Sequence, residues 1–79
     1  AHEGAVLSPM VGTVYLAPEP GAADFINEGD FVKKGQTLFI VEAMKVMNPI
    51  TAPTGGKVTK ILVENAQPIE FDQPLAIIE

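Results

Sequence analysis

Seventy-nine residues, 47% of them hydrophobic and none of them cysteine, describe one small domain over residues 1–79 that must fold without a disulfide. A chain this short hides only about 60% of its unfolded surface, so its expected stability is roughly 4–12 kcal/mol and a large buried cleft is not expected. Ten acidic residues against five lysines and no arginine give a formal charge of -5, which repels phosphate backbones and anionic membranes alike, so neither nucleic acid nor a membrane is an expected partner.

With no Cys, and with His2 beside the N-terminus as the sole histidine, no metal site and no Cys- or His-based catalytic machinery is expected. Apolar runs such as Leu38–Val41 and Leu75–Ile78 are far shorter than the roughly 18 residues that span a bilayer. The chain opens on Ala1 rather than Met, without a charged start and apolar stretch, and is expected to be a mature or excised piece.

Seven Gly and seven Pro punctuate the chain, and the pieces between them are rich in Val, Ile, Thr and Phe. That pattern predicts an all-β domain with strands at Ala5–Leu7, Gly12–Tyr15, Phe31–Val32, Thr37–Glu42, Val46–Ala52, Gly56–Leu62, Pro68–Phe71 and Pro74–Glu79. The stretch from Thr37 to Met47 contains good helix formers, but its β-branched flank and the nearby Pro49 argue for strand. Ala17–Ala23, with Pro18, Pro20 and Gly21, reads as a loop.

The chain also carries a weak internal repeat. Pro9, Gly12 and Val14 align with Pro53, Gly56 and Val58 at an offset of 44, whereas Val32, Leu38, Ile40, Val41 and Glu42 align with Ile69, Leu75, Ile77, Ile78 and Glu79 at an offset of 37. The first half therefore holds seven extra residues between Val14 and Val32, placed most simply in the loop around Ala17–Asp24. A duplicated β unit predicts two similar sheets related by a quasi-twofold axis, one of them bearing an inserted finger. Gly12 and Gly56 occupy matching positions, which suits a bulge or a close strand approach.

The junction of the two halves lies between Glu42 and Ala52, and at it sits Glu42-Ala43-Met44-Lys45-Val46-Met47-Asn48-Pro49, a lysine flanked by large apolar residues between two predicted strands. So short a join predicts a hairpin, yet the favoured two-residue hairpin loops are Asn-Gly, Asp-Gly or Gly-X, and Met44-Lys45 is none of these. A turn whose local preference is overridden is a place to look for function. Lys33, Lys34, Lys57 and Lys60 lack such apolar flanks and read as solvated surface charges.

The run from Glu42 to Met47 resembles the attachment motif of biotin carboxyl carrier proteins, Ser8–Tyr15 resembles their opening strand, and Ile61–Phe71 is similar to their closing segment. The resemblance covers nearly the whole chain and points to the biotinyl domain of the acetyl-CoA carboxylase carriers, where it would form the C-terminal part of a longer subunit. It implies a flattened β-barrel of two four-stranded antiparallel sheets, with Lys45 on a hairpin turn receiving covalent biotin and with Met44, Val46 and Glu42 as flanking recognition residues. Ala17, Pro18, Glu19, Pro20, Gly21, Ala22, Ala23 and Asp24 resemble the family's thumb loop, which can touch the biotin ring. Two positions depart from the family: Val46 stands where Met is usual, and Ala17 stands where a hydroxyl residue is common, which removes any side-chain hydrogen bond from the loop's base.

The resemblance further implies a non-catalytic carrier. A biotin protein ligase would load Lys45, a biotin carboxylase would carboxylate the ring, and a carboxyltransferase would pass the carboxyl group to acetyl-CoA to give malonyl-CoA for fatty acid synthesis. Nothing in this chain is an evident base for the Lys45 amine, so the ligase is expected to take its proton. The isolated domain is expected to be monomeric, in bacterial cytoplasm or plastid stroma. The alternatives are a lipoyl-type acyl carrier, the carrier of another biotin-dependent carboxylase, and an unmodified β interaction module. Met44 and the inserted loop favour biotin, because lipoyl domains commonly place Asp before the lysine and lack the loop.

Overall fold

The computed structural model describes residues 4–79; Ala1, Glu3 and His2, with the reading made of it, lie outside the described residues. Eight strands follow in order: β1 (Ala5–Leu7), β2 (Gly12–Tyr15), β3 (Phe31–Val32), β4 (Thr37–Ala43), β5 (Val46–Thr51), β6 (Gly56–Ile61), β7 (Gln67–Ile69) and β8 (Pro74–Ile78). They form two antiparallel four-stranded sheets, ordered β1-β8-β6-β3 and β5-β4-β2-β7, in a flattened body of 31 × 28 × 19 Å. The all-β, two-sheet architecture is thus the one expected, and the helix formers of β4 are overridden by pairing with β2 on one side and β5 on the other.

Several strands end earlier than their composition predicts. Ala52 leaves β5 because its N–H and C=O bond Gln36 and Gly35 across a turn. Phe71 belongs not to β7 but to the turn Glu70–Gln73, where Asp72 has φ 65° and the Gln73 N–H returns to the Glu70 carbonyl at 3.2 Å. Of the remaining ends, β4 runs one residue further, to Ala43, where it meets Val46 across the hairpin, β6 and β8 stop at Ile61 and Ile78, and β7 starts one residue earlier, at Gln67.

Between the sheets lies one core of Val14, Leu38, Phe39, Val41, Val58, Ile69, Leu75, Ala76 and their buried neighbours. Strict alternation would send Leu38 and Phe39 to opposite faces, yet both are fully buried. The irregularity in the β4–β5 register between Thr37 and Phe39 lies at this pair, so the departure from alternation and the break in the ladder coincide.

The two halves repeat each other down to individual hydrogen bonds. The Ala66 N–H donates to the Val14 carbonyl (2.8 Å) as the Gly29 N–H donates to that of Val58 (2.7 Å), and the Glu70 and Lys33 N–H groups donate to Gln73 Oε1 (2.9 Å) and Gln36 Oε1 (3.1 Å). Gly12 and Gly56 answer the close-approach reading. A Cβ on Gly12 would overlap the Glu42 carbonyl oxygen and reach Val41 Cγ1 at 2.8 Å, and one on Gly56 would meet Glu79 O and Ile78 Cγ2, each at 2.8 Å.

Ser8 is the one fully buried polar side chain among the described residues. Its hydroxyl donates to the Met10 carbonyl (2.6 Å) and accepts from the Met10 N–H (3.4 Å), fixing the crossing from β1 to β2. Ser8→Ala is expected to cost about 1–2 kcal/mol, read as a lower urea midpoint with an unchanged slope. A midpoint within error of the parent would show that the crossing does not depend on the hydroxyl.

Register also orders the molecule end to end. Leu7 lies opposite Pro74 where β1 crosses over to Gly12, whose neighbour Thr13 faces Glu42, so the β4–β5 turn stands at that pole. Ala5 opposite Ile77, and Gly4 accepting from the Ile78 N–H at 2.9 Å, mark the other pole.

Candidate functional site

The β4–β5 ladder runs through Glu42↔Met47 and Ala43↔Val46, leaving Met44 and Lys45 as the two residues of the turn. Both have positive φ, 52° and 66°, the left-handed pair that a type I′ turn demands and that Asn-Gly normally supplies. The expected override of turn chemistry is therefore present at two consecutive residues that carry Cβ atoms. Below the turn, Asn48 Nδ2 donates to the Val46 carbonyl (3.1 Å) and the Val41 carbonyl (3.3 Å), bracing the base of the hairpin.

Everything at the tip faces solvent. Met44 is 96% exposed, Val46 57% and Met47 50%, and the Lys45 side chain is exposed. Lys33, Lys34, Lys57 and Lys60 are also exposed, but none of them lies in a two-residue hairpin turn. The turn thus holds the Lys45 amine in solvent between apolar side chains.

Beside the hairpin, the segment Ala17–Asp24 folds over the outer face of the sheet that bears the turn. Pro18 and Pro20 limit its backbone, Gly21 takes φ 84°, and the Ala22 N–H closes a turn on the Glu19 carbonyl at 3.1 Å. The Phe25 N–H returns to the Leu16 carbonyl at 2.8 Å, so the loop begins and ends at one place. Between loop and sheet lies a cleft of about 470 Å³, lined by Tyr15, Ala17, Pro18, Glu19, Pro20, Gly21, Ala22, Asp24, Glu42, Met47 and Asn65.

Of the residues singled out from the sequence, Glu42 and all of the loop except Ala23 line this cleft, while Met44 and Lys45 on the turn and Val46 at the start of β5 stand outside it. Composition had argued against a large buried cleft, and this one is open and lies on the surface. Tyr15, Met47 and Asn65 line it as well and were not singled out. Tyr15 lies on β2 and donates its hydroxyl to Glu42 Oε1 at 3.3 Å; Met47 is the cross-strand partner of Glu42. Asn65 comes from the second half of the chain, and its Oδ1 accepts the Leu16 N–H at 2.9 Å. Tyr15 and Met47 were legible as outward positions beside Glu42; only the repeat hints at Asn65.

The family model described as biotin-requiring enzyme, of the biotin/lipoyl type, matches residues 4–78. The chain belongs to the biotin/lipoyl family. Within that family it is 59% identical over 73 residues to the biotin carboxyl carrier protein of acetyl-CoA carboxylase of Pseudomonas aeruginosa, covering 92% of this chain and 47% of that protein. It is 54% identical over 74 residues to the protein of the same name from a Nostoc species, covering 94% of this chain and 41% of that one. The chain thus spans less than half the length of these relatives. Among solved structures, part of a single-chain, multi-domain long-chain acyl-CoA carboxylase is similar in fold to this chain, with a TM-score of 0.78, 26% identity, and coverage of 96% of this chain and 7% of that chain.

Proposed function

We propose that this biotin/lipoyl domain is the biotin carboxyl carrier domain of an acetyl-CoA carboxylase, with biotin joined to Lys45 as an amide. The observation that carries this reading is the left-handed Met44-Lys45 turn at the tip of a rigid hairpin, in a chain whose relatives bear that name. A ligase reaching the tip meets Met44, Val46 and Met47 as an apolar collar, with Glu42 and its hydroxyl partner Tyr15 one step below. Met is an adaptable contact surface, suited to a tip that several enzymes must touch in turn.

The cleft fits the ring of biotin by the chemistry of its walls. Glu19, Asp24 and Glu42 offer carboxylate acceptors to ureido N–H groups, the Asn65 amide can donate to a ureido carbonyl, and Met47, Pro18 and Pro20 supply apolar wall. Its volume lies within the usual range of small-molecule sites. Biotin, when bound, supplies a ring nitrogen that accepts and returns a carboxyl group. The chain's own residues contribute presentation: the hairpin holds the amine clear of the body, and the loop offers the ring a resting place between visits.

On this reading the domain catalyses nothing itself. Biotin protein ligase, biotin carboxylase and a carboxyltransferase are its partners, in bacterial cytoplasm or plastid stroma, and a tether raises the ring's effective concentration at each site without adding binding energy. The loop and the Met before Lys45 favour this over a lipoyl carrier, and the names of the relatives favour acetyl-CoA over another carboxylase substrate.

Incubation with biotin, ATP and a biotin protein ligase, followed by intact mass and peptide mapping, tests the assignment. One biotinyl group is expected, on Lys45, with Lys33, Lys34, Lys57 and Lys60 unmodified. Lys45→Arg is expected to take none while keeping its stability within about 0.5 kcal/mol, since the side chain is exposed. Modification by a lipoyl ligase in place of the biotin ligase, or labelling spread over the other lysines, would overturn it.

A further inference from the structure

We propose that Asn65 is a positioning residue that pins the root of the Ala17–Asp24 loop and so sets the cleft in which the tethered ring rests. Leu16 is the last residue before the loop. Its N–H is taken by Asn65 Oδ1 at 2.9 Å and its carbonyl by the Phe25 N–H at 2.8 Å, so both ends of the insertion hang on one residue whose backbone groups are satisfied. Asn65 reaches Leu16 from the other half of the chain, out of the tight turn Glu64–Gln67, where Ala66 has φ 64° and the Glu64 N–H donates to Gln67 Oε1 at 2.9 Å. A turn braced in this way holds Asn65 still, its Oδ1 engaged by the Leu16 N–H, and Asn65 also lines the cleft.

The internal repeat supplies the control. Asn65 corresponds to Glu28, which stands in the turn Asn27–Asp30, braced by the Asn27 N–H on Asp30 Oδ2 at 2.9 Å. Glu28 Oε2 accepts the N–H of Ile61, the end of β6, at 2.9 Å. Both halves therefore use the same device, a turn side chain capping the strand-end N–H of the opposite half. Only one of the two capped strands leads into the inserted loop. Losing either cap removes one hydrogen bond of similar geometry; losing Asn65 alone also frees the loop.

The experiment compares Asn65→Ala, Asn65→Asp and Glu28→Ala in the whole chain, before and after biotinylation, by amide hydrogen exchange and by the rate at which streptavidin captures the tethered ring. Asn65→Ala is expected to speed exchange at Leu16 and through Gly21–Asp24 by roughly five- to tenfold, the loss of one neutral hydrogen bond, and to speed ring capture. Asn65→Asp keeps an acceptor for the Leu16 N–H and is expected to restore slow loop exchange but not slow ring capture, because it removes the amide donor from the cleft. Glu28→Ala is expected to lower the unfolding midpoint about as much as Asn65→Ala, while leaving loop exchange and ring capture at parent values. Equal loop exchange in Asn65→Ala and Glu28→Ala, or capture indifferent to Asn65, would overturn the proposal. The link to the ring rests on the carrier reading; if Lys45 takes no biotin, that reading fails, while the exchange arm still decides whether Asn65 holds the loop.

Discussion

The double variant Met44→Asn/Lys45→Gly is expected to unfold at a higher temperature than the parent chain while losing biotin attachment completely. Left-handed backbone costs a residue with a Cβ about 1–2 kcal/mol, and the turn holds two such residues in succession, at φ 52° and 66°. Asn and Gly are the pair that adopts this geometry with least strain, and the added entropy of Gly in the unfolded chain returns about 0.5–1 kcal/mol of the gain. A net gain of about 1 kcal/mol remains, a rise in Tm of about 4–8 °C for a domain of this size. Met44 gives up almost nothing on replacement, since it is 96% exposed. Thermal melts beside intact-mass assays of ligation check both halves, and a Tm at or below the parent's would show that the tip carries no stored strain. Stability and loading then trade against each other at two residues, as expected where a turn is shaped for another protein to read.

Gly12→Ala is expected to cost about 2–3 kcal/mol. The new Cβ would overlap the Glu42 carbonyl oxygen and crowd Val41 Cγ1, both in β4, the central strand that carries the turn. That backbone cannot retreat from β2 without pressing on β5. Gly56→Ala meets the matching obstacle in β8, the central strand of the other sheet, with its methyl 2.8 Å from both Glu79 O and Ile78 Cγ2, and Gly56 also holds φ 155°, where a side chain is strained, so its cost should be comparable. Urea unfolding should place both variants well below the parent, and only Gly12→Ala should also slow ligation at Lys45, because the β4 backbone beside Glu42 is displaced. A midpoint within error of the parent for either variant, or ligation slowed equally by both, would show that the strand absorbs the added methyl.

Much of this was readable from the residues because the physics involved is local or periodic. Gly and Pro mark the ends of segments whose β-branched content favours strand, and two offsets, 44 and 37, place the inserted loop without any structure. What could not be read depends on distance in the fold. Asn65 meets Leu16 across 49 positions of sequence, and nothing in its own surroundings separates it from an ordinary turn residue. Its correspondence with Glu28 was latent in the repeat, but a shared role appears only when both are seen capping a strand end. Leu38 and Phe39 are both buried although a period-2 pattern sends one of them outward, because the irregularity lies in the pairing of two strands and not in either strand alone. Phe71 was drawn into a strand by its aromatic ring, whereas the left-handed Asp72 beside it ends the pairing.

The quasi-twofold axis sets β8 against β1 as it sets β4 against β5, but the first pair lacks a connecting turn. The molecule is in effect a symmetric object with one hairpin left open. A permuted chain could close that gap with a copy of Ala43-Met44-Lys45-Val46 and open elsewhere, giving a carrier with an arm at each pole. In the natural order, polypeptide attached at either end would depart from the pole opposite Lys45, leaving the hemisphere around the β4–β5 turn clear.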